Sequence, residues 1–87
     1  MTIYETIVTI TYQDKDMDMC PIWVDEDVYK DLFETEEAAI AAANREFNSR
    51  EPNGYVRSVW AQVYPITVTD NGSHRCIRIY NQYKELN

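Results

Sequence analysis

The sequence predicts a single α+β domain: one main helix packed on a mainly antiparallel sheet of three to four strands, in the order β-β-α-β-β. Three observations carry this. Residues 3–12 alternate β-branched and aromatic side chains with polar ones, an alanine-rich stretch follows Thr35-Glu36-Glu37, and Asp70-Asn71-Gly72-Ser73 separates two further alternating runs. At 87 residues the chain has material for one core only, so residues 1–87 are read as one domain. With 45% hydrophobic residues that core can be filled.

The first strand sets Tyr4, Val8, Ile10 and Tyr12, with Thr6 among them, on one face and Ile3, Glu5, Ile7, Thr9 and Thr11 on the other. Residues 14–19 alternate acid with Lys or Met and suit a turn into a second strand carrying Ile22, Trp23 and Val24. Pro21 removes a ladder donor, which marks that strand as an edge or an interrupted one. Residues 25–33 admit two conformations: a short helical turn capped by Asp25, with Val28, Tyr29 and Leu32 inward, or an extended Val28–Phe33. Thr35 is the expected N-cap of the main helix, Glu36 and Glu37 suit its positive end, and alanines 38, 39, 41, 42 and 43 give high helix propensity. Ile40, Ala43 and Phe47 form its apolar stripe, with Ala39 beside it, and the Asn48–Gly54 stretch ends it. The last two runs, 55–69 and 74–83, read as a hairpin turning at Asn71-Gly72. That turn would set Ile66 against Ile77, Tyr64 against Ile79 and Trp60 against Tyr83 on one face. The other face would hold Val63 against Tyr80, Pro65 against Arg78 and Thr67 against Cys76. Pro65 again points to an edge or a bulge.

Two glycines and three prolines argue against a disordered chain. No apolar run approaches the roughly 20 residues of a membrane span. Met1-Thr2-Ile3-Tyr4-Glu5 does not have the basic and then apolar character of a secretion signal, so Cys20 and Cys76 are expected as reduced thiols in a cytoplasm. The chain carries a formal charge of −7, unevenly distributed. Asp14, Asp16, Asp18, Asp25, Glu26, Asp27, Asp31, Glu34, Glu36 and Glu37 are ten acids set against Lys15 and Lys30, a balance of −8 over residues 14–37. The remainder has five acids and six bases, a balance of +1. Such a segment repels phosphate backbones, so direct nucleic-acid binding through it is disfavoured, and it attracts basic protein grooves.

Catalytic chemistry finds little support. His74, the lone histidine, follows the hairpin turn, where polar residues are common. Neither cysteine sits in a thiolate-activating context, and Gly54 and Gly72 make no phosphate loop. Asp14-x-Asp16-x-Asp18 invites a calcium reading, but Met19 and Asp25 stand where an EF-hand needs glycine and glutamate, and Pro21 interrupts the loop. Two cysteines 56 positions apart and one histidine make no zinc set. No enzyme activity, metal or cofactor is expected.

The informative feature is the acidic segment with Trp23, Tyr29 and Phe33 interleaved in it. Two readings stand side by side: rings as binding anchors steered by charge, or rings in the core with the acids merely solvated. Segregation of the charge favours the first, because solubility alone is served by scattered acids. A second patch could form on the sheet from Tyr55, Tyr80 or Tyr83 with Arg57, Arg75 and Arg78, although tyrosines also edge small sheets simply to keep their hydroxyls wet.

In size, tyrosine-rich α+β build and polarised acidity the whole chain resembles the small acidic anti-CRISPR and anti-restriction proteins of phages and mobile elements. The resemblance assigns no individual residue. It implies a non-catalytic inhibitor in the host cytoplasm that fills the basic nucleic-acid-binding site of a host protein and mimics its phosphates. The expected partner surface comprises Asp14, Asp16, Asp18, Trp23, Asp25, Glu26, Asp27, Tyr29, Asp31, Glu34, Glu36 and Glu37. An immunity or antitoxin-like protein that neutralises a basic toxin would use the same physics. A small calcium- or ligand-binding module is the reading from another class.

Overall fold

The computed structural model describes residues 1–15 and 21–86. The fold is α+β, with strands β1 (Thr2–Lys15), β2 (Pro21–Phe33), β3 (Val56–Thr69), β4 (Gly72–Arg75) and β5 (Tyr80–Glu85), and one helix, α1 (Glu36–Asn48). The sheet is antiparallel in the order β2-β1-β3-β4, and β5 also pairs with β3. β2 is therefore an outer strand, as Pro21 at its start suggested.

Strand β1 supplies the alternation the sequence promised. Tyr4, Thr6, Val8 and Ile10 face α1, and the Thr6 hydroxyl donates to the Ala39 carbonyl at 2.8 Å. Val59, Ala61 and Val63 of β3 complete the buried centre against Ala39 and Ala43, with Phe33, Ile40, Phe47 and Tyr80 packed round it. Ala39, Ala42 and Ala43 are small enough to bring the helix backbone onto the sheet, which is how a thirteen-residue helix buries itself with so little apolar bulk. Thr35 caps it as expected, accepting from the Ala38 amide at 3.2 Å.

Residues 25–33 correct the helical alternative: they belong to one continuous strand, and Asp25 caps nothing. The register against β1 slips at Val8/Thr9, where Thr9 pairs with Asp27 and Val8 with Tyr29, leaving Val28 as the extra residue of a bulge. The bulge changes which parity faces the helix. Val28, Tyr29 and Phe33 all pack on the core, whereas Trp23, Asp25 and Asp27 share the other face with Thr9 and Thr11.

The hairpin register is also corrected. The turn residues are Asp70-Asn71, with Thr69 paired to Gly72, whose φ of +126° favours a residue without a side chain. Ile66 consequently faces Arg75 and Thr67 faces His74. The expected pairing does hold in β5, where Trp60 meets Tyr83 and Val63 meets Tyr80. Residues 76–79 absorb the difference and leave Ile77 almost fully exposed. Pro65 lies opposite this break. Its carbonyl accepts from the Cys76 amide at 2.8 Å, but its nitrogen has no hydrogen to return, so the ladder cannot continue there.

Candidate functional site

Of the ten acids expected at a partner surface, eight are described, and all eight are exposed: Asp14, Asp25, Glu26, Asp27, Asp31, Glu34, Glu36 and Glu37. Asp16 and Asp18 lie outside the described residues, and with them the Asp14-x-Asp16-x-Asp18 calcium motif. The eight do not form one flat face. Asp25 and Asp27 project on the side of the sheet that α1 leaves open, Glu26 and Asp31 pair with Ile10 and Thr6 on the helix side, and Glu36 and Glu37 occupy the first turn of α1. They line one long flank. At about 3.3 Å per residue, thirteen-residue β2 is about 40 Å long.

Among the described residues none of the eight forms an ion pair. The pairs that do form use other carboxylates: Glu5 with Lys30 and Arg75, Glu46 with Arg45 and Arg50, and Glu51 with Lys84. Local donors hold three flank acids in place, because Thr11 donates to Asp25 at 2.6 Å, Thr9 to Asp27 at 2.7 Å and the Leu32 amide to Asp31 at 2.8 Å. The flank also acts on a neighbour. Burial, then the charges of Glu26 and Asp14 and the adjacent Tyr55, raise the Tyr12 phenol above its ordinary value.

The aromatic residues divide between the two sides. Trp23 is exposed and stands on the open face, with the Arg57 guanidinium 5.0 Å above its ring. Tyr29 and Phe33 are half-buried against the core, so Tyr29 does not join Trp23 at the surface. The second patch also differs from expectation. Arg75 stacks on Tyr64 at 4.6 Å and Arg78 on Trp60 at 5.5 Å, while Tyr55 stacks on Tyr12 and the Tyr80 hydroxyl donates to Asn44. Tyr83 alone of the three expected tyrosines lies on the open face, edge-on to Trp60.

Between the flank and these rings lies a groove of about 260 Å³ lined by Thr9, Thr11, Asp25, Ser58, Trp60 and Tyr83. Its shape follows from two adjacent cross-strand rows. One row runs Asp27, Thr9, Trp60, Tyr83, and the other Asp25, Thr11, Ser58, Glu85, so short side chains in the middle leave a trough between taller ones. Sequence reasoning missed it because the trough depends on register across four strands.

Among the described residues no three His, Cys, Asp or Glu side chains gather to hold a metal, and no helix is long and apolar enough to cross a membrane. Compared with known proteins, the chain matches no family model, no curated protein and no solved structure.

Proposed function

We propose that this chain is a non-catalytic binding protein whose acidic flank docks on a basic surface of a nucleic-acid-handling protein and blocks the nucleic-acid site there. One observation carries the reading: the flank carboxylates are exposed and, among the described residues, form no ion pair, while Lys30, Arg45, Arg50, Arg75 and Lys84 pair with other carboxylates. An unneutralised row of charge projects its field into solvent and steers association with a surface of opposite sign. Asp25 and Asp27, two residues apart and held by threonines, offer fixed acceptors about 6–7 Å apart along the strand.

Capture of partners from a host lysate at low and high ionic strength, with duplex DNA or RNA as competitor, tests the proposal. The expected result is a nucleic-acid-handling protein that is retained at low salt, released at high salt and displaced by the competitor. Retention indifferent to both salt and nucleic acid would overturn it.

A further inference from the structure

We propose that the groove on the open face receives one arginine side chain of the partner protein as an anchor. This rests on the reading of the chain as a binder of basic proteins, and it names where and how a single cation is held.

The groove's chemistry selects the occupant. On one side stands the Asp25 carboxylate, one oxygen of which accepts from Thr11 at 2.6 Å; the second makes no hydrogen bond among the described residues. On the other side Trp60 and Tyr83 meet edge to face, with ring centroids 6.4 Å apart. Ser58 lines the groove at only 4% exposure, and its hydroxyl makes no hydrogen bond among the described residues. The one buried side-chain polar atom left without a partner among the described residues is Arg50 Nε, so the Ser58 hydroxyl keeps access to the groove and can donate or accept there. A guanidinium answers all of these features, because it is planar enough to lie against a ring, donates in several directions in one plane and carries the charge that Asp25 requires.

Charge around the groove is complementary as well. Asp27 stands beside Asp25 at the end of the neighbouring row, Glu85 ends Asp25's own row on the far side of the groove, and none of the three forms an ion pair among the described residues. Arg57 lies over the ring of Trp23 and Arg78 over that of Trp60, so Trp60 already carries one guanidinium and Tyr83 is the groove ring with no cation of the protein over it among the described residues. About 260 Å³ is below the roughly 300–1,000 Å³ of small-molecule sites and suits one side chain. Arginine is favoured over lysine, whose compact ammonium gains little from a flat ring and is more strongly hydrated.

The test is a titration of the ¹⁵N-labelled protein with acetyl-Gly-Arg-Gly-amide and with its lysine counterpart, followed by NMR. The expected result is a saturable shift of the Trp60 indole N–H and of the Ser58 and Thr11 amides with the arginine peptide, and weaker binding of the lysine peptide. Asp25→Asn, an exposed change that leaves the fold intact, should weaken the arginine response about tenfold, as loss of a charged hydrogen bond does. Asp31→Asn, on the helix side, should leave it unchanged. The proposal is overturned if Ser58 and Trp60 do not respond, if the two peptides bind alike, or if Asp25→Asn has no effect. Shifts confined to Glu26, Asp31, Glu36 and Glu37 would remove the anchor and leave the flank reading standing.

Discussion

Glu5 shows what a compensated carboxylate looks like in this protein. It is buried in β1, with Arg75 from β4 on one oxygen and Lys30 from β2 3.9 Å from the other. It thereby ties both sides of the sheet to the central strand. Both cations are half exposed, which limits the net gain through solvent screening. Arg75→Ala, which leaves a nearly buried acid with a single distant partner, is expected to cost about 1–2 kcal/mol in urea unfolding. Tyr12 provides the opposite case of a group pressed by unmatched charge. Its phenol is raised by burial and then by Glu26 and Asp14, so Glu26→Gln should lower it towards about 10 in an NMR titration. The sign for stability follows. A raised phenol contributes stability that is whole below the unfolded value of about 10 and is lost as pH climbs through the folded value. Tyr80, raised by burial, contributes in the same sense. Stability should therefore fall above about pH 10, and Tyr12→Phe with Tyr80→Phe should flatten that fall.

At the level of elements, the parts of the fold legible in the sequence were those whose signals are local. The alternation of β1, the Thr35 cap and the alanine-rich face of α1 each depend on residues within a few positions of one another. Thr35→Ala should cost about 1 kcal/mol of stability by chemical denaturation. Ala39→Leu should cost about 1–3 kcal/mol, because the added methylenes meet a fully buried contact with the sheet. What escaped the sequence was register. In β2 the inward residues are even up to Val28 and odd from Tyr29, and no single alternation describes such a run, which is why a short helical turn fitted it equally well. In the hairpin, Asn71-Gly72 signalled the turn, but Thr69 and Gly72 close it one residue earlier. The break at 76–79 then restored the pairing expected for β5. Pro65 carried the warning, as the one residue of β3 that cannot donate towards a neighbour. The groove inherits this limit, since its floor and walls come from β1, β2, β3 and β5 at once.

At the scale of the whole molecule, charge is polarised across the sheet. The acidic flank occupies β2 and the start of α1, while Arg75, Arg78 and Lys84 sit on β4, β5 and the segment joining them. The identity of the acidic residues was legible; their distribution over a flank rather than one face was not, because it depends on the bulge and on the position of α1. Self-repulsion along that flank should make the free protein more stable in moderate NaCl. Relief of about 1 kcal/mol would raise Tm by about 4–8 °C. Location rather than total charge is the core of the functional reading, and a charge-matched comparison tests it most directly. Affinity for the captured partner should be measured against salt for Glu36→Gln/Glu37→Gln and for Glu51→Gln/Asp70→Asn, two variants that each remove two negative charges. The flank variant is expected to bind more weakly with a shallower salt dependence, and the other to retain most of the wild-type behaviour. Equal losses in the two variants would contradict a partner surface located on β2 and the start of α1.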